Sequence, residues 1–200
     1  NYNRNVNDAE AKAEKEYFDS IGPQASEISN AFNQDLVNSK FRSELEIKWG
    51  KQYFNQIELD LKTFDPSIMD MLLEETKLRN EYTQLIAGAQ IEYNGETYNL
   101  AGLGPFHKDS ERDIRKSSYE ARLNWFQGNA DAFDELYDKL VKLRHEIATT
   151  LGYDSFTELG YMRMGRSDYG PKEVANFRSQ IVDYVVPLVK KLNKQRQEIL

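Results

Sequence analysis

"DAFDELYDKLVKLRHEIATTLGY", residues 131–153, decides how the rest of this chain is read. Its apolar residues Phe133, Leu136, Leu140, Leu143, Ile147 and Leu151 recur at steps of three and four. That spacing gathers them into one stripe of an α-helix. Asn129 precedes the stretch as an N-cap residue, and Gly152 ends it as a glycine stop. Asp138 and Lys142 form an i,i+4 pair suited to the wet side.

The same stretch poses a chemical question, because His145-Glu146 is the first half of an H-E-x-x-H zinc motif. Such a helix needs histidines at i and i+4 so that both imidazoles face one metal. The i+4 position here is Thr149, a poor ligand, and the one other histidine of the chain is His107, in a loop. Helical phase argues the same way. His145 is two residues from both Leu143 and Ile147, hence about 200° around the helix from either. The expectation is an outward histidine, no metal ligand and no general base.

Helical periodicity extends in both directions. Upstream, a helix is expected from Asp8 to about Ser39, broken or kinked at Gly22-Pro23. Another is expected from Phe41 to about Lys62, anchored by Leu45, Trp49, Phe54, Ile57 and Leu61. Asp65-Pro66 then caps a helix running to about Ala89. The strand signal is "QIEYNGETYNL", residues 90–100, whose Asn94-Gly95 favours a type I′ hairpin turn. Helix resumes from Ser110 to Gln127, and a short one starts at Ser155. The last runs from Pro171 to the chain end, with Pro187 as a kink. The fold class is therefore all-α (mainly helical) with one small β-hairpin, a single continuous helical region over residues 1–200.

Composition limits the function classes. The 200 residues carry a net charge of −7, so no overall positive field favours nucleic acid or an anionic membrane as partner. The absence of cysteine excludes disulfides, thiolate zinc sites and a cysteine nucleophile, and is compatible with a reducing, cytoplasmic setting. No apolar run approaches the ~20 residues that span a bilayer. Phosphate loops, dinucleotide fingerprints and G-x-S-x-G elbows do not occur in the sequence. The chain begins at Asn1 without Met and stops at "KQRQEIL", inside an amphipathic pattern. A segment of a longer polypeptide is expected. "IVDYVVPLV", residues 181–189, is apolar around most of its circumference; helices of that kind sit inside a large body.

The densest chemical patch is "LGYMRMGRSDYGP", residues 159–171. Arginine with tyrosine can hold a peptide carboxylate or backbone by directed hydrogen bonds. Arg–Asp pairing and tyrosine packing that set the entry of the last helix would account for the same residues.

At this point the sequence becomes recognisable. The stretch "LVKLRHEIATTLGYDSFTELGYMRMGRSDYGPKEVANFRSQIVDYVVPLVKKL" closely resembles the N-terminal, non-catalytic half of oligoendopeptidase F-like zinc metallopeptidases, relatives of thimet oligopeptidase. Upstream, "IEYNGETYNLAGL" and "SERDIRKSSYEARLNWF" resemble that family's hairpin and following arginine-rich helix, in order. The resemblance implies a two-lobed helical shell around a deep channel, in which zinc on an HExxH helix cleaves short peptides. That motif belongs to the other half of the family's chain, and His145-Glu146 does not align with it. The resemblance thus implies zinc in the full-length protein and none bound by this segment. It implies a C-terminal catalytic half as partner and oligopeptides as substrates. Tyr161, Arg163, Arg166 and Tyr169 are the candidate residues for channel wall or lobe contact, with no catalytic residue in this segment. A self-contained helical interaction scaffold and a small-ligand protein with an aromatic pocket remain the alternatives.

Overall fold

The computed structural model describes residues 2, 5, 6 and 8–199; the two ends of the sequence reading, Asn1 and Leu200, lie outside them. Helix α1 (Ala9–Val37) opens on Asp8, whose carboxylate accepts from the Ala11 N–H at 3.0 Å. The expected break at Gly22-Pro23 does not occur, and α1 runs through it. Pro23 forfeits only its own bond to the preceding turn, and its ring is buried.

The break falls instead at Gly50, between α2 (Arg42–Trp49) and α3 (Lys51–Lys62). Gly50 adopts φ 90° and ψ 148°, a combination open essentially to glycine alone. Asp65 caps as its sequence promised, accepting from the Ser67 N–H at 2.9 Å. A single 3₁₀ turn (Pro66–Ile68) then leads into α4 (Met69–Ala87).

Strands β1 (Ile91–Tyr93) and β2 (Glu96–Tyr98) pair antiparallel, with Ile91 opposite Tyr98 and Tyr93 opposite Glu96. Asn94 and Gly95 both take positive φ, 51° and 81°, as a type I′ turn requires. The hairpin packs on α5 (Arg112–Gly128). Ile91, Tyr93 and Leu103 form a small core there with Phe106 and Trp125, which supplies the support that an isolated hairpin lacks.

Helix α6 (Ala130–Thr150) carries the decisive stripe. Ile147 is fully buried with Ala148, Ile68 and Leu159, while Leu143 and Leu151 pack at the margin. Phe133, Leu136 and Leu140 are only half-buried and line an open groove. Asn129 does not cap with its side chain; its amide donates back to the Trp125 carbonyl at 2.8 Å and closes α5. Gly152, at φ 87°, ends α6, with the Tyr153 N–H reaching the Ala148 carbonyl at 2.9 Å.

Helix α7 (Phe156–Arg163) packs on α3 and α6. After a loop, α8 (Pro171–Gln180) passes through a π-turn (Ile181–Val185) into α9 (Val186–Ile199). The π-turn stands just before Pro187, whose missing N–H must skip a bond in the helical ladder. No residue of α8, the π-turn or α9 is buried among those described. Tyr184 is 76% exposed and Leu188 55%, so the expected burial of this apolar helix is not met within the chain. The reason is visible in the packing: these elements contact chiefly one another. Among the described residues, no helix is long and apolar enough to cross a membrane.

Candidate functional site

The four residues singled out in the sequence separate into two structures. Arg163, at the end of α7, turns inward. Its Nη1 lies 2.9 Å from Oε2 of Glu75 on α4, while Nε of Arg144 on α6 lies 2.7 Å from Oε1. One carboxylate thus joins three helices, each oxygen taking one guanidinium. The Phe156 ring stands 5.3 Å from the Arg144 guanidinium carbon and 5.8 Å from that of Arg163, adding a cation–π contact to each. Glu75 is nearly buried, at 7% exposure. Burial alone would raise its pKa, but the Arg144 hydrogen bond and the Arg163 charge outweigh burial and hold it below the usual carboxylate value. This junction is structural cement. Its carboxylate had a signal in the sequence: Glu75 falls three residues after Leu72 and three before Leu78, in the apolar phase of α4.

Tyr161, Arg166 and Tyr169 form the second structure, on the solvent side of α7. The Arg166 guanidinium carbon lies 4.3 Å from the Tyr161 ring centroid and 5.5 Å from that of Tyr169. Helix α7 ends by letting Gly165 take φ 67°, so that the Arg166 N–H reaches back to the Tyr161 carbonyl at 3.2 Å. That reversal brings Arg166 over Tyr161. The loop is clasped from α3: Gln56 Nε2 donates to the Gly165 carbonyl at 3.0 Å, and Gln52 Nε2 to the Ser167 hydroxyl at 2.8 Å. A Cβ on Gly165 would stand 2.7 Å from Gln56 Oε1, so the clasp relies on glycine. Tyr161, Arg166 and Tyr169 line one groove of about 520 Å³ with Ser155, Thr157 and Glu158.

A larger groove of about 950 Å³ runs between α1, α4 and α6, flanked by Phe133, Tyr82, Tyr137 and Arg79. The zinc that the resemblance implies finds no donor set here. His145 and Glu146 are exposed, and among the described residues no three His, Asp or Glu gather around a point. His107 is instead stacked on Tyr119, with ring centroids 4.0 Å apart.

Comparison with known proteins identifies the class. Residues 1–64 match the peptidase M3 N-terminal domain, and residues 106–200 match peptidase family M3. The chain belongs to the M3 peptidases and corresponds to the N-terminal region of oligoendopeptidase-like proteins. Among solved structures it is similar to PZ peptidase A with inhibitor 2, at 46% identity and TM-score 0.93. It is also similar to an enzyme described as oligoendopeptidase F, at 43% identity and TM-score 0.93. A third, described as oligoendopeptidase F from Bacillus anthracis str. Ames, shares 41% identity at TM-score 0.92. Each match covers 96% of this chain, but only 34%, 34% and 36% of the respective relative. The chain therefore spans about a third of their length. A search of curated proteins gives no significant match.

Proposed function

We propose that this chain is the N-terminal, non-catalytic part of a zinc-dependent oligoendopeptidase acting on short peptides in the cytoplasm. It forms one wall of the substrate channel, through the α7 groove, and packs against a catalytic lobe contributed by the same polypeptide. The zinc ligands and the general base lie on that lobe.

The observation that carries this reading is the uncovered α8–α9 helix of a chain that matches a third of its relatives. Val182, Tyr184, Leu188 and Leu192 are each more than half exposed. Exposed apolar side chains at this density mark a surface meant for burial. The share of the relatives that lies outside the match is ample to cover it. The α7 groove supports the wall assignment, since a largely apolar cleft with aromatic sides and one arginine suits a peptide and its terminus.

The test uses this chain extended to the length of its solved relatives. A quenched oligopeptide should be cleaved by the extended protein, the cleavage should cease with chelator and return with zinc, and the 200-residue chain alone should be inactive. Cleavage that survives chelation, or activity in the short chain, would overturn the proposal. An extended protein with no peptidase activity would favour an interaction scaffold.

A further inference from the structure

The channel-wall reading says nothing of what the α7 groove recognises. Three features of Arg166 bear on that. Its guanidinium rests over two aromatic rings, Tyr161 and Tyr169, yet makes no ion pair among the described residues, in contrast to Arg42, Arg144 and Arg163. It is half-buried and opens on a groove of about 520 Å³, room for a residue or two of a ligand rather than a folded segment. Its backbone is fixed by the Gly165 reversal and the two glutamine donors from α3.

These features describe a preorganised cation whose charge is not spent within the fold. Aromatic faces hold a guanidinium by its plane and leave its N–H edge available. That edge matches a carboxylate bidentately. Glu158 lines the same groove and also lacks an ion pair among the described residues. A cleft with one cation and one anion disfavours phosphate or a polyacidic ligand, which would bring repulsion along with attraction. It suits an end group with a single carboxylate beside N–H donors, and the terminus of a peptide is such a group.

We propose that Arg166, positioned by Tyr161 and Tyr169, binds the free C-terminal carboxylate of oligopeptide substrates, with Glu158 accepting from neighbouring peptide N–H groups. This rests on the peptidase reading and deepens it. Anchoring the chain end selects short peptides that present a terminus inside the channel. Arg166 acts in specificity and touches no reacting bond.

The experiment takes the chain extended to the length of its relatives and one fluorogenic peptide in two forms, free acid and C-terminal amide. The extended wild type should prefer the acid by about tenfold in kcat/KM, carried by KM, as expected for one charge-assisted contact. In Arg166→Gln the acid-to-amide ratio should fall close to one, and Arg166→Lys should keep an intermediate ratio, retaining charge without the fork. Equal cleavage of the two forms by the wild type overturns the inference, whether or not any variant folds. So does a tenfold preference that persists in Arg166→Gln, which would place the carboxylate reader elsewhere. Hydrolysis of neither form would bring down the peptidase reading itself and this inference with it.

Discussion

Glu75 shows how one residue can hold three helices. Its carboxylate is the sole acceptor described for the side chains of both Arg144 and Arg163, so its loss leaves two partly buried guanidinium groups without their acceptor. Removing one partner of a buried pair costs about 3–5 kcal/mol. The two arginines retain 35% and 22% side-chain exposure, which lets water compensate in part and reduces the expected loss to about 2–3 kcal/mol. Glu75→Gln should therefore lower the unfolding free energy by that amount at neutral pH. The pH dependence has a definite sign. The folded carboxyl titrates below its unfolded value, so its contribution is complete above about pH 4.3. It is lost as the solution is acidified through the lower, folded pKa. Wild type and Glu75→Gln should thus converge in stability under acid, as urea titrations at a series of pH values would show. A constant gap down to the acid transition would remove the ionic account of this junction. Arg166 behaves differently because no carboxylate among the described residues is spent on it, and its alteration should leave this acid response unchanged.

Helices α2, α6 and α7 end where a glycine takes positive φ: Gly50, Gly152 and Gly165. At Gly50 the extended, positive-φ conformation separates α2 from α3. Gly50→Ala meets no steric obstacle, since nothing lies within 4 Å of a Cβ there. Any loss then comes from backbone strain alone, expected at about 1–3 kcal/mol. A thermal melt unchanged by Gly50→Ala would mean that the break relaxes into a continuous helix. These same positions explain what the sequence could and could not reveal. Asn94-Gly95 and Asp65-Pro66 were legible because the local chemistry and the fold agree. Gly50 sits inside the five-residue step from Trp49 to Phe54, which breaks the three-and-four spacing on either side and is the trace of the interruption in the sequence. At Pro23 the break, one of the two outcomes a proline allows, does not occur: α1 continues through it with the ring buried. Tyr161 and Arg166 stand together as candidates in the sequence, but the stacking of one on the other was hidden for a geometric reason. Five residues apart, they would not share a face of a continuous helix, and only the reversal at Gly165 brings them together. Glu75 was readable from its apolar phase, but its two partners, 69 and 88 residues away, were not.

At the scale of the molecule, packing is uneven. Fully buried side chains concentrate between α4, α6 and α7 and beneath the hairpin, while α8 and α9 leave their apolar residues in water. An amphipathic or apolar helix draws most of its stability from the face it buries, so this one requires a covering surface. The proposed cover is the remainder of a longer polypeptide, and chain length offers a direct way to examine it. In the 200-residue chain Leu188 and Leu192 are 55% and 53% exposed. Truncating both to alanine there should change unfolding free energy by less than about 0.5 kcal/mol each. It should also diminish the concentration-dependent association expected of so much exposed apolar surface, as sedimentation velocity can follow. In a chain extended to the length of the solved relatives, the same two leucines would be enclosed, and each truncation should cost about 2–5 kcal/mol. The contrast between the two lengths carries the prediction, because the small gain in helix propensity from Leu to Ala is the same in both and cancels. Equal, small losses in the short and extended chains would mean that α9 stays in solvent, and the catalytic lobe would then have to be sought against a different face, the wide groove between α1, α4 and α6 being the next to probe.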